Sequence, residues 1–216
     1  MTFGVVCISH TQEAGGEGIA RAVSLGLGYR FVDEEIILRA ARTAQVDPAV
    51  VAAAERKQPF LTRIFDAIAA ATALGGGVAL SSGMGGDPSP YTGTGGGLNE
   101  DLRGLIRGAI VEVAKNGKAV IGAHAASLAL AGKPGVLRVL VTAPEEVRAA
   151  RLAEDKGLTP AAAMKVIAES DAGRENYFRT FYKVARELPT HYDLVLNTEV
   201  LTPGHVTALI MAAARG

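Results

Sequence analysis

Short apolar runs without polar alternation recur along this chain, separated by longer stretches whose apolar residues keep helical spacing. Residues 3–8 (FGVVCI), 29–32 (YRFV), 118–122 (KAVIG), 136–141 (VLRVLV) and 193–197 (DLVLN) read as strands. Strands that are apolar throughout are those buried on both faces of a sheet. Helical spacing predicts helices over 19–25, 34–44, 49–57, 60–74, 98–116, 125–131, 144–155, 160–187 and 203–214. Local signals support these limits: Asp47-Pro48 and Thr159-Pro160 are helix starts, and Gly117 is a C-terminal cap. Phe60, Ile64, Phe65 and Ile68 share one helix face. Strands alternating with helices predict an α/β fold, a three-layer parallel sheet with helices on both faces. Residues 75–97 are glycine-rich and cannot pack as a regular element, so they read as a mobile loop within the domain. The expectation is a single domain over 1–216, with a helical insert at 34–97 and a second helical region at 144–187. No internal repeat is present.

Composition narrows the classes of function. Lysine plus arginine (22) equals aspartate plus glutamate (22), so nothing favours bulk attraction to nucleic acid or to an anionic membrane. The length of 216 residues suits one domain with a sizeable core. The single cysteine, Cys7, lies in a predicted buried strand and reads as a structural thiol. No basic-plus-apolar leader is present and no apolar run reaches the roughly 18 residues of a membrane span. The expectation is a cytoplasmic protein whose ligand binding is local.

The candidate chemistry lies in the first strand–turn–helix. Residues 9–18 (SHTQEAGGEG) join the first strand to a helix, where free backbone N–H groups and the helix dipole converge on an anion. Two nucleotide folds use such a turn. A dinucleotide fold wants G-x-G-x-x-G and an acid closing the second strand. Gly16, Gly18 and Asp33 supply part of this, but Arg21 stands at the third glycine, and no tyrosine has a lysine four residues on. The phosphate loop G-x-x-x-x-G-K-[ST] places its lysine on Glu17 and its hydroxyl on Gly18 when Gly16 is the second glycine. A tight turn without a ligand is the remaining alternative.

The chain as a whole resembles the cytidylate kinase-like family of P-loop proteins, relatives of the nucleoside monophosphate kinases. The resemblance runs through Ile8-Ser9-His10-Thr11-Gln12-Glu13-Ala14-Gly15-Gly16-Glu17-Gly18-Ile19-Ala20 and then Leu27-Gly28-Tyr29-Arg30-Phe31-Val32-Asp33-Glu34-Glu35-Ile36-Ile37. It continues through Glu55-Arg56 with Phe60-Leu61, the strand ending at Gly122, and Ala143-Pro144-Glu145-Glu146-Val147-Arg148. Asp171-Ala172-Gly173-Arg174 with Tyr177 and Tyr182, and Tyr192-Asp193-Leu194-Val195-Leu196-Asn197-Thr198, complete it in order. This resemblance implies a P-loop kinase core with a mobile substrate-binding insert and an arginine-bearing lid. It implies ATP with Mg2+, and phosphoryl transfer to CMP or a similar nucleotide, so the partner is a nucleotide or another phosphorylated small molecule. No resident metal site is expected.

The residues that would carry such chemistry can be named. Ser9, His10, Gly15, Gly16 and Gly18 are expected to bind phosphate. Arg148, Arg151 and Arg174 are expected to converge on the transferring phosphoryl group, with a solvated helix face, pairing to Glu145 or Asp155, as the alternative for the first two. Asp33, Arg63 and His124 are the acceptor-side candidates. Against these stand four departures from the family pattern at phosphate-facing positions: His10, Glu13, Glu17, and Gly122-Ala123-His124 where the family has G-R-G. A catalytically inactive pseudokinase, acting as a nucleotide-binding or regulatory module and as a homodimer, is the rival reading. A different, less charged ligand bound by His10, His124 and the arginines is another, and magnesium bridged by Glu13 or Glu17 is a third.

Overall fold

The computed structural model describes residues 2–33, 35–44, 97–122 and 125–216. The expected helices at 49–57 and 60–74 and nearly all of the glycine-rich segment lie outside the described residues, as does Arg63. In chain order the elements are β1 (Val5–His10), α1 (Gly16–Leu27), β2 (Arg30–Val32), α2 (Glu35–Ala44), α3 (Gly97–Lys115), β3 (Ala119–Ile121), α4 (Ala126–Ala129), β4 (Val136–Thr142), α5 (Glu145–Lys156), α6 (Pro160–Tyr182), a 3-10 turn (Pro189–His191), β5 (Leu194–Asn197) and α7 (Pro203–Arg215).

The described strands form one five-stranded sheet in the order β2-β3-β1-β4-β5, and every pairing is parallel. β1 is the central strand. It pairs with β3 over Val5 to Cys7 and with β4 along its whole length, from Val5↔Val136 to His10↔Val141. Alternate residues of β1 feed two cores, as a strand's period of two requires. Val5 and Cys7 face α2, α3 and α4 through Ile36, Ile106, Ile110 and Ala129. Val6 and Ile8 face α1 and α7 through Ile19, Val23, Val206 and Ile210. Burial on the first face pushes the Cys7 thiol up to about 12, which leaves it protonated and inert.

Two boundaries differ from the sequence expectation in ways that matter. β1 runs two residues further than residue 8, because Ser9 and His10 still pair with Leu140 and Val141. This carries both side chains to the C-terminal edge of the sheet. α6 stops at Tyr182 and does not reach Glu187: Lys183 turns left-handed (φ 57°), and the Val184 N–H then caps the Phe178 carbonyl. The segment after it is thereby free to bring Glu187 back toward the sheet. Thr159 caps the start of α6 as expected, its hydroxyl accepting from Ala162 N–H, with Pro160 in the first turn.

α5 and α6 pack on each other around a small core of their own, made of Ala149, Leu152, Ala163, Val166 and Ile167. Leu152 is fully buried there. Leu152→Ala is expected to cost about 2–5 kcal/mol in chemical denaturation. Faster hydrogen exchange should appear first in α5 and α6, since this cluster is separate from the two cores against the sheet.

Candidate functional site

The backbone after β1 leaves the sheet at the C-terminal edge, between β3 and β4, where connections diverge to opposite sides and α/β proteins bind ligands. Every carbonyl from His10 to Gly15 has a partner. His10 O accepts from Arg174 (3.0 Å), Thr11 O from Ala14 N–H (3.2 Å) and Gln12 O from Arg148 (3.5 Å). Glu13 O accepts from Arg151 (3.1 Å), Ala14 O from the Thr198 hydroxyl (3.1 Å) and Gly15 O from Ile19 N–H (3.2 Å). The N–H groups of Gln12, Glu13, Gly15, Gly16, Glu17 and Gly18 meet no backbone acceptor among the described residues. The loop carbonyls are therefore all held by protein groups, whereas these six N–H groups, continuous with the open first turn of α1, meet no such backbone acceptor among the described residues.

Gly15 is the N-cap of α1 in left-handed conformation (φ 77°), and Gly16 lies tight against β1. A Cβ at Gly16 would stand 2.2 Å from His10 Cβ, so only glycine lets the helix start here. Glu13 is also left-handed, at φ 60°. That conformation costs a side-chain-bearing residue about 1–2 kcal/mol, which accounts for the glycine at this position in the family pattern.

Arg148, Arg151 and Arg174 each donate to a carbonyl of this loop, and each has a distinct set of further partners. Arg148 is 4% exposed and makes a two-point pair with Asp171 at 2.6 and 3.1 Å, while its Nε donates to Ala143 O. It is neither solvated nor paired with Glu145 or Asp155. Arg151 donates to Glu13 O and to both the hydroxyl (3.0 Å) and carbonyl (2.6 Å) of Thr198. Arg174 donates to Ser9 Oγ (2.9 Å) and His10 O, pairs with both oxygens of Glu187 (2.7 and 2.8 Å), and lies over the Phe178 ring. Tyr192 Oη completes this group by donating to Glu187.

Burial governs how these groups titrate. It raises the Glu187 carboxyl by itself, but hydrogen bonds from Arg174 and Tyr192 outweigh it, and the carboxyl stays below its ordinary value. For Arg174 burial works downward and the Glu187 carboxylate more than reverses it. Burial, then the Glu187 charge, pushes the Tyr192 phenol up to about 12. Burial holds the His10 imidazole below its usual value, against a backbone contact to Thr11, so it is neutral at pH 7.

The remaining candidates are placed less tightly. Glu17 is largely exposed and turns along the helix to Arg21, which bonds it through Nε and Nη2 and covers the Phe31 ring at 4.5 Å. Asp33 follows β2, with its carbonyl accepting from Ile36 N–H at 3.0 Å. Gly18 offers no hydroxyl where a phosphate loop would place a magnesium ligand. Among the described residues no cluster of three or more histidine, cysteine, aspartate or glutamate side chains could hold a metal ion. Ala123 and His124 lie outside the described residues.

Thr198, Glu187, Tyr192 and the Arg148 partner Asp171 were not legible as site residues in the sequence. Asp171, Tyr192 and Thr198 fall inside the motifs that carry the family resemblance, which was the available signal. Glu187 had none, because its meeting with Arg174 depends on where α6 ends. Glu187→Gln should lower stability by about 1–3 kcal/mol at pH 7, since a largely buried guanidinium loses its counter-charge. A carboxyl held low when folded contributes stability that is complete above its unfolded value near 4.5 and disappears as pH falls through the lower folded value. The difference between wild type and the variant in thermal melts should accordingly shrink below about pH 4.

Comparison with known proteins gives the fold and site a context. The model of the cytidylate kinase-like family matches residues 5–200. A cytidylate kinase from Pyrococcus horikoshii is 31% identical over 103 residues, which is 48% of this chain and 53% of that protein, so the match spans about half of the relative's length. Among solved structures, an uncharacterized protein from Eubacterium ventriosum superposes with a TM-score of 0.61 at 11% identity, covering 97% of each chain, and shares the fold. A shikimate kinase from Acinetobacter baumannii gives 0.46 at 14% identity over 98% of this chain and 91% of that one. With the family model covering nearly the whole chain and the parallel sheet carrying its glycine turn at the end of β1, this protein belongs to the cytidylate kinase-like family and has its nucleoside monophosphate kinase-like α/β fold.

Proposed function

We propose that this protein binds a nucleotide of the ATP or CMP type, seating a phosphate on the N–H side of residues 12–18, and acts as a phosphotransferase toward a nucleoside monophosphate. The observation that carries the reading is the complete occupation of the loop carbonyls from His10 to Gly15, which leaves the amides as the group presented at the strand ends. A helix N-terminus and free amides favour an anion, and phosphoryl transfer depends mostly on positioning and charge neutralisation. In this reading Ser9, His10, Gly15, Gly16 and Gly18 shape the seat, and Asp33, Arg63 and His124 belong to the acceptor side. Residues 34–97 and 144–187 act as substrate-side insert and lid. Mg2+ arrives with the nucleotide.

A second reading is favoured by a specific observation. No lysine stands in the turn, and Arg148 and Arg174 already pair with carboxylates. A nucleotide-binding module without turnover fits that arrangement; association as a homodimer belongs to the same reading and is independent of the arrangement. The magnitudes separate the two causes. A carboxylate about 4 Å from a phosphate costs about 1 kcal/mol in water-like surroundings, and pairing of Glu17 with Arg21 reduces even that. Loss of a charge-assisted bond from lysine costs more, about 1.5–3 kcal/mol. The missing lysine therefore weighs more than the glutamate that replaces it.

The reading is tested by following ADP formation from ATP and CMP with Mg2+, alongside calorimetric binding of each nucleotide. Turnover supports the phosphotransferase; binding without turnover at high protein concentration supports the module. Binding of no nucleotide across a panel rejects both. Glu17→Lys should tighten ATP binding about tenfold or more if the turn faces phosphate. Glu13→Gly should raise thermal stability, by up to about 1 kcal/mol, through relief of the left-handed backbone.

A further inference from the structure

We propose that Thr198, held in place by Arg151, is a positioning residue for anion binding, because it fixes the peptide plane whose N–H belongs to Gly15. The inference rests on the phosphate seat proposed above and adds a residue from the far edge of the sheet to it. Thr198 follows β5, the edge strand, and is 5% exposed. Its N–H donates to Thr142 O at 2.8 Å, which extends the β4–β5 ladder by one residue and pins the backbone. Its hydroxyl accepts from Arg151 at 3.0 Å and donates to Ala14 O at 3.1 Å. Because Arg151 is a donor only, it forces the hydroxyl proton toward a carbonyl. Ala14 O is the nearer acceptor, since Thr142 O stands at 3.4 Å.

A trans peptide is planar, with its C=O and N–H pointing opposite ways. Bonding Ala14 O to Thr198 therefore aims the N–H of Gly15, the residue that caps the open first turn of α1, away from β5. Arg151 supports the arrangement twice, through Thr198 and through Glu13 O, and Arg148 does the same for the preceding plane through Gln12 O. A donor on the carbonyl also polarises the peptide and strengthens its N–H as a donor. In this assignment Arg151 acts on the loop backbone, and its charge does not touch the phosphate.

The test uses inorganic tripolyphosphate and ATP as probes, with the whole chain. In the wild type, titration with tripolyphosphate should shift the Gly15 amide resonance in 15N-resolved spectra. Thr198→Val should weaken both probes about fivefold to tenfold, and Thr198→Ser, which keeps the hydroxyl, should restore them. Since threonine is neutral, the salt dependence of the remaining affinity should be unchanged. Wild-type binding with a silent Gly15 amide overturns the proposal even if Thr198→Val fails to fold. So does equal affinity in wild type and Thr198→Val, or equal loss in the valine and serine variants. A reduced salt slope in Arg151→Gln would overturn it too, as it would place the guanidinium on the anion. If the wild type binds neither probe nor any nucleotide, the phosphate-seat reading falls and the proposal with it; binding with an indifferent Thr198 rejects the proposal alone.

Discussion

A backbone that leaves the middle of a buried parallel sheet must find a partner for each of its carbonyls, and this constraint organises the upper edge of the protein. From His10 to Gly15 the partners come from the loop itself, from α1, α5 and α6, and from the residue after β5. Orphaned buried carbonyls are costly, so elements distant in sequence are tied to one short turn. The helical pair α5–α6 has a core of its own. Arg148, Arg151 and Arg174 tie this pair to the loop after β1.

Those arginines do two things with one side chain. Each guanidinium has several donors in a fixed fork, enough to hold a loop carbonyl and a second group at once. For Arg148 and Arg174 the second group is a carboxylate, Asp171 or Glu187, which makes burial of the charge tolerable. The consequence is electrostatic. Positive charge gathered around the loop is largely matched by acidic partners, and the Glu17–Arg21 pair at the start of α1 is matched too. What the loop presents with directional force is its backbone: amides and the N-terminal end of a helix.

Much of the architecture was readable from the chain because it rests on local rules. Apolar runs without alternation marked the doubly buried strands, and Thr159-Pro160 and Gly117 marked helix ends where they occur. Gly15 and Gly16 located the turn, and the reason proved specific: one adopts a left-handed conformation and the other has His10 where a Cβ would go. The limits were less legible. Ser9 and His10 look like loop residues in isolation, yet β4 extends far enough to keep them in the ladder. α6 could have continued toward Glu187 by composition alone, and a left-handed Lys183 ends it.

The sequence by itself determined the order of strands and helices, the glycine turn after the first strand, and the inventory of charges near it, since propensity, periodicity and steric freedom are properties of neighbours along the chain. Only the tertiary structure decided what those charges do. Arg148 meets Asp171 and Gln12, Arg151 meets Thr198 and Glu13, and Arg174 meets Glu187, Ser9 and His10. Most of these partners lie far apart in sequence, and they come together through the strand order β2-β3-β1-β4-β5. No local pattern encodes such meetings, because they follow from which strand lies beside which.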